Sequence, residues 1–386
     1  MSEGAAGAVP LRTIALQWTR IGVTGFGGPP THIALLRRLV VEERHWVDQS
    51  EFEDGLAACN LLPGPASTQL AIFLARRIGG PGGAVVGGLG FIVPAVAMII
   101  ALSAVFFAQA PPRWVRGAGA GASAAVAAVA VRAGLGLARP SFDRAANRGR
   151  WLGYVVLGLA AGALIGRYLV LVLLGCGVLE LAVAGGLFDR SRAHSWTPML
   201  IPAASMGAGG LGALAWVAFK VGALSYGGGF VIVPLMQGDA VHTYHWMTSA
   251  QFLSAVALGQ VTPGPVVATV AAVGYAAHGV AGAALAAAVA FAPSFALVLL
   301  GGGRFELVRT SSRAQAFLAG AGPAAIGAIL GAAIPLAAAL RETWQFAVLA
   351  AAAAALLLAR RGVVATLVGA GAAGVAAALV GAPMPR

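Results

Sequence analysis

Long apolar runs, interrupted by short arginine-bearing breaks, set the pattern of this chain. Crossing about 30 Å of hydrocarbon takes roughly 20 helical residues at 1.5 Å each. In the first half, runs of that kind cover about 11–28, 82–108, 114–137, 150–166 and 168–188. In the second they cover about 203–228, 282–302, 313–338, 343–359 and 362–382. Two further apolar stretches, 51–78 and 250–278, are broken by Pro63-Gly64-Pro65 and Pro263-Gly264-Pro265. Their arms, such as 51–62 and 66–78, reach only about 18–20 Å. Proline removes a backbone donor and keeps the preceding residue out of the helix. Each stretch therefore reads as a re-entrant hairpin that enters and leaves on one side.

The chain also repeats itself at a spacing of 200. Arg20–Gly28 matches Lys220–Gly228, His45-Trp46 matches His245-Trp246, Phe52 matches Phe252, and the two Pro-Gly-Pro tripeptides coincide. Gly79 and Gly82 fall on Gly279 and Gly282, so the register runs without a gap. Internal repeats govern every later inference. Two repeats are expected, 1–198 and 199–386. Five crossings in each is an odd number, which turns the second repeat upside down and places the N-terminus outside. The expected fold is an all-α polytopic membrane protein with about ten transmembrane helices in two inverted-topology repeats, each with a re-entrant Pro-Gly-Pro hairpin.

Charge tests that topology, because cytoplasmic loops carry the positive excess. With the 29–50 loop inside, the inner side collects sixteen of the 25 basic residues, among them Arg37, Arg38, Arg44, Arg76, Arg77, Arg144, Arg148 and Arg150. The outer side receives six: Arg12, Arg113, Arg116, Arg167, Arg341 and Arg386. Residues 229–281 contain no Arg or Lys, as an outward-facing segment should. Composition agrees. Hydrophobic residues make up 59% and charged residues 10%, against roughly 25% charged in soluble domains. A net charge of +12 can signal nucleic acid or membrane, but dispersed arginines without an aromatic stripe exclude nucleic acid. Cys59 and Cys176 lie in apolar surroundings and offer no disulfide framework or metal cluster. The N-terminal stretch lacks a basic flank, compact core and cleavage site, and is read as retained.

Broken helices at matching positions in two inverted repeats are the signature of secondary transporters. A half-helix starting inside the membrane presents free N–H groups and partial positive charge, which suits an anion. Pro65–Gln69 and Pro265–Thr269 look like such starts. Gly27-Gly28 and Gly227-Gly228 end the first helix of each repeat and allow close approach. The plainer alternative is that Gly and Pro only kink packed membrane helices. Arg20 and Lys220 sit mid-span in matching copies, where a cation costs at least about 2.5–3.5 kcal/mol. They are read as a clamp for an anion, or else as snorkelling or acid-paired residues. Asn60, Ser67, Thr68 and Gln69, with Gln260, Thr262 and Thr269 opposite, are the hairpin side chains able to bond an oxyanion.

The candidate substrate-binding set is therefore Arg20, Gly27, Gly28, Asn60, Gly64, Ser67, Thr68, Lys220, Gly227, Gly228, Gln260, Thr262 and Gly264. Glu180, Glu53 and Asp54 are candidates for proton coupling, with ion pairing or a solvated cluster as alternatives. The His-Trp pairs anchor the interface, with no metal or other cofactor expected. Without an acid, base or metal constellation, an enzyme is not expected. A non-transporting membrane scaffold is the alternative from another class.

Phe26-Gly-Gly-Pro29, Asn60-Leu-Leu-Pro-Gly-Pro65, Ser225-Tyr-Gly-Gly-Gly229 with Val233-Pro-Leu235, and Leu258-Gly-Gln-Val-Thr-Pro-Gly-Pro265 resemble the chromate ion transporter family, long two-domain type. The resemblance covers about 20–100 and 215–300 and the duplicated layout. It implies efflux of chromate, a divalent tetrahedral oxyanion, across the bacterial inner membrane, coupled to the proton-motive force and giving chromate resistance. Family members with a single repeat work as oppositely oriented pairs. Sulfate shares the shape and charge of chromate, so sulfate-like uptake or exchange is the alternative. A homodimer is a candidate assembly. The two hairpins differ in polarity, so the two halves need not play equal roles.

Overall fold

A computed structural model describes residues 9–185, 210–225, 229–301 and 311–385, and every regular element among them is helical. The first half contributes α1 (Leu11–Thr24), α2 (Pro29–Arg37), α3 (Gln49–Leu61), α4 (Ala66–Phe106), α5 (Arg113–Asp143), α6 (Arg148–Leu164) and α7 (Leu169–Val183). The second contributes α8 (Leu211–Leu224), α9 (Ile232–Gln237), α10 (Ser249–Val261), α11 (Val270–Gly301), α12 (Ser312–Ala338), α13 (Thr343–Ala353) and α14 (Val363–Leu379). Four helices, Ala66–Phe106, Arg113–Asp143, Val266–Gly301 and Ser312–Ala338, are long and apolar enough to cross a membrane. Shorter apolar helices, including Leu169–Val183 and Val363–Leu379, accompany them. The chain is a polytopic membrane protein.

Around each Pro-Gly-Pro the chain doubles back. Glu51 pairs with Arg77, and Gly55 lies against Phe73, so α3 and the first arm of α4 run antiparallel about Gly64. α4 then reverses again at Gly79 and Gly80, the latter at φ 63° and ψ −161°, a conformation open to glycine and strained for other residues. Beyond that turn Gly87 and Gly88 pack on Ala75 and Ile72 of the arm they have just left. The long apolar helix is thus a short returning arm, a turn, and a spanning arm.

The first helix does not cross, which corrects the expectation. Val9 N–H donates to Ile78 O (3.1 Å), and Leu11 and Ile14 lie against Gly79. The start of α1 is therefore at the end of the molecule where α3 begins, beside the Arg77–Glu51 pair. α1 rises to Gly25, whose carbonyl accepts from Gly264 N–H (3.1 Å). α2 then descends until Arg37 donates to Gln49 at the start of α3 (3.1 Å). Residues 9–11 and 37–50 consequently share one end, not opposite ends. The spanning arm of α4, α5, α6 and α7 run between the ends. The far end gathers Arg113, Arg116, Arg341 and residues 383–385.

The second half has the same element order, with its break at 262–265 and a chain reversal at His278 and Gly279. Its α10 begins towards the far end, where Ser254 meets Ser123 and lies near Gly119. The ungapped register does not last, however. Gly80 and Gly279 hold the same φ, near 60°, a spacing of 199. The missing residue is made up by winding. Val266–Thr269 is a 3-10 turn where the first half starts directly in α-helix. Four residues at about 2.0 Å rise cover what five α residues cover at 1.5 Å.

The partial insertions meet in the middle. A Cβ placed on Gly64 would lie 3.4 Å from both Gly222 O of α8 and Ser294 Oγ of α11. One on Gly264 would lie 2.6 Å from Ala95 of α4 and 3.5 Å from Gly22 O of α1. Exchanging the halves interchanges these two sets of neighbours. Around this centre lies the largest apolar core, which includes Trp18, Leu70, Leu74, Phe91, Val221, Phe252 and Phe291. A second layer packs α5 and α12 against α6, α7, α13 and α14. Glycines let backbones approach there, as Gly117 and Gly121 do on Gly374 and Gly320 on Cys176.

Candidate functional site

The site begins at the tip around Gly64, whose φ is +117°. Pro65 caps α4, and Thr68 and Gln69 N–H bond back to its carbonyl. The helix therefore opens with its first N–H groups directed at the tip. Gln69 Nε2 donates to Pro63 O at 2.6 Å, which fixes the amide so that Oε1 is the free atom. His32 Nε2 lies 2.9 Å from Gly25 O and so carries the proton. Its bare Nδ1 faces Ser67 Oγ at 3.4 Å. One imidazole thus ties the α1–α2 turn to the start of α4.

At the other tip, Val266 stands between the two glycine loops. A Cβ on Gly28 would lie 3.8 Å from its side chain and one on Gly229 3.3 Å. Thr262 bonds Leu258 O and Thr269 bonds Val266 O, so both hydroxyls are engaged locally. Several polar atoms near the tips have no partner among the described residues: Thr68 Oγ1, Gln69 Oε1, Ser225 Oγ, Gln260 Nε2 and Ser294 Oγ. Thr68, Gln69, Ser225 and Ser294 are completely buried. Leaving such an atom unsatisfied costs about 1–3 kcal/mol, so a cluster of them calls for an occupant.

A cavity of about 760 Å³ leads to the first tip. Glu53, Ala57 and Asn60 of α3 line one wall, Gly64 and Ala66 lie at its inner end, and Arg144, Arg150 and Tyr154 lie towards its mouth. Among the predicted residues, Asn60, Gly64, Glu53 and Glu180 thus share this cavity. Ser67 and Thr68 are buried behind the tip, and Gln260, Thr262 and Gly264 sit at the opposite one. Gly27 and Gly28 both have positive φ in the α1–α2 turn. Gly227 and Gly228 lie outside the described residues.

The charged candidates behave differently from a clamp. Lys220 Nζ is 2.6 Å from Asp239 Oδ2, and the two side chains are 19% and 10% exposed. Its charge is compensated within the protein, next to the Trp216 ring. Arg20 is exposed on α1. Glu180 accepts two bonds from Arg150 (3.0 and 2.9 Å) and one from Tyr154 Oη (2.8 Å). It is an ion-pair partner in the cavity wall. Glu53 accepts from Gln49 and stays exposed, as does Asp54. No group of three or more metal-binding side chains occurs among the described residues.

Ser294 escapes the sequence reading, and so does the pairing of Asp239. Ser294 follows Pro293, which repeats Pro94 at the structural spacing of 199. A lone hydroxyl beside a repeated proline in an apolar span was the available signal. Asp239 reads as a loop acid, and its pairing depends on a π-helical turn, Gly238–Thr243, that folds it back on α8.

The chromate transporter family model matches residues 12–181 and 212–375, both halves and nearly all of the described chain. This chain belongs to the chromate transporter family. It is 32% identical to the chromate transport protein of Cupriavidus metallidurans over 337 residues, 85% of this chain and 82% of that one. It is 31% identical to the chromate transport protein of Pseudomonas aeruginosa, covering 84% and 81%. An uncharacterized transporter of Bacillus subtilis, YwrB, matches 95 residues at 38% identity, 25% of this chain and 48% of that one. No solved structure matches. Membership makes this a membrane transport protein of the chromate transporter family.

Proposed function

We propose that this protein exports chromate from the bacterial cytoplasm by alternating access, conferring chromate resistance from the inner membrane. The repeats 1–198 and 199–386 are inverted relative to one another, and the arginine-rich end is cytoplasmic by the positive-inside rule. The cavity beside α3 is then a vestibule open to the cytoplasm. Arg144 and Arg150 attract the anion at its mouth, and Asn60, Gly64, Ser67 and Thr68 with the α4 N-terminus receive it at the tip. Transport exchanges this arrangement for its mirror image, in which Gln260, Thr262 and Gly264 face an outer vestibule. Such rocking of one repeat against the other around a central site is the usual physics of inverted-repeat transporters.

The observation that carries this reading is the reciprocal seating of the two tips, with the first at the end of an arginine-lined cavity. Uptake of radiolabelled chromate into inside-out proteoliposomes, with and without an imposed pH gradient, tests it. Saturable chromate uptake that exceeds sulfate uptake is expected. Absence of chromate flux, or equal flux in protein-free vesicles, overturns it.

A further inference from the structure

Resting on that reading, we propose that the tip at Gly64 binds the singly protonated tetrahedral oxyanion, hydrogen chromate, and that Gln69 Oε1 accepts its proton-bearing hydroxyl. Three observations lead there. Gln69 is completely buried and its Oε1 has no partner, while its Nε2 is committed to Pro63 O. The free atom is therefore an acceptor only, and a fully deprotonated oxyanion has nothing to donate to it. Near the same tip, Ser294 Oγ is buried and unpartnered; a hydroxyl can donate to the remaining oxygens. A Cβ on Gly64 would lie 2.5 Å from Gln69 Nε2 and 3.4 Å from Ser294 Oγ, so both side chains pack against Gly64, which itself lines the cavity.

Charge points the same way. Around the tip, Arg20 of α1 is exposed, Lys220 of α8 is held by Asp239, and Arg76 of α4 donates to Val298 O. On the cavity wall Arg150 and Glu180 hold each other, Glu53 takes a bond from Gln49, and Arg144 is exposed at the mouth. On α2, His32 spends its proton on Gly25 O. What is left at the first tip is the start of α4, equivalent to about half a positive charge. It matches one negative charge better than two.

Chromate takes up a proton near neutral pH, whereas sulfate and selenate do so only in strong acid. One orphan acceptor thus separates anions of equal size and shape by whether they still carry a hydrogen. Each turnover would also move a proton with the substrate, without a titrating carboxylate in the protein.

The test is initial-rate chromate flux in proteoliposomes at symmetric pH between 6 and 8. KM for total chromate should rise about tenfold per pH unit once the dianion dominates, because only the protonated fraction binds. kcat should stay level. At pH 6.5, selenate and sulfate should compete at least about a hundredfold more weakly than unlabelled chromate, while phosphate, which keeps its hydrogens, should compete measurably. Gln69→Leu should raise KM at least tenfold and narrow the selenate discrimination to less than tenfold. His32→Gln should keep the pH slope. Chromate flux with a flat KM, or selenate competing within a few-fold of chromate in the unmodified protein, overturns the inference and leaves the transport reading intact. No flux at any pH removes both.

Discussion

Helices α3 and α10 occupy matching places in the two halves, yet one borders open space and the other does not. On α3, Glu53, Ala57 and Asn60 are exposed, and the cavity separates them from α12. On α10 the matching Leu253, Ala257 and Gln260 are 2%, 2% and 9% exposed. They are covered because α10 lies along α5, where Ser254 Oγ is 3.1 Å from Ser123 Oγ, and against α14. The starts of the returning arms follow suit: Ala66 reaches the cavity, whereas Val266 is sealed by Gly28 and Gly229. A duplicated architecture would allow both faces to be alike. Their difference leaves the molecule open beside α3, at the arginine-rich end, and packed shut beside α10.

The most drastic way to break that comparison is to fix the closed face. Ser123→Cys with Ser254→Cys should form a disulfide on mild oxidation, since the two hydroxyls already touch. Chromate flux should then fall to background and return with reductant; Cys59 and Cys176 are buried and should not interfere. Undiminished flux in the cross-linked protein would mean that the α5–α10 seam does not open during transport. Next in size, Ala57→Cys should react with a water-soluble maleimide at least about tenfold faster than Ala257→Cys in the resting protein. Equal rates would erase the asymmetry.

A smaller effect separates the two mid-helix cations. Lys220→Met strands Asp239, and breaking such a pair costs about 3–5 kcal/mol when one charge stays buried. The double variant Lys220→Met/Asp239→Asn should recover much of that loss in detergent unfolding midpoints. Arg20→Ala, at the matching exposed position, should change stability by no more than about 0.5 kcal/mol. A Lys220 variant as mild as the Arg20 one would refute the pairing.

Much of this was legible in the chain because its signals are local. Pro-Gly-Pro, the glycine pairs and the 200-residue spacing each lie within a few residues, and they located both tips and the breaks at 62–65 and 262–265. α1 was misread because a stretch of 18 residues with few charges looks the same whether a helix crosses or stops halfway. What stops it is long-range: Gly22 against Phe91, and Gly25 O accepting from Gly264 N–H. The partner of Lys220 was out of reach for a related reason. Lys220 and Asp239 are nineteen positions apart, and no periodicity joins a helix to the π-turn that returns to it. Ser294 and Gln69 stood in plain view as letters, but their lack of partners is a property of the packed interior.

The reciprocal fit of the tips also bears on how the chain comes to be assembled. Gly64 rests on Gly222 and Ser294, residues synthesised more than 150 positions later, and Gly264 rests on residues laid down long before it. While the first half stands alone, its deepest loop has no floor, and maturation must wait for the sister segment to arrive. Two halves made as separate polypeptides should accordingly be degraded singly and rescue one another when made together.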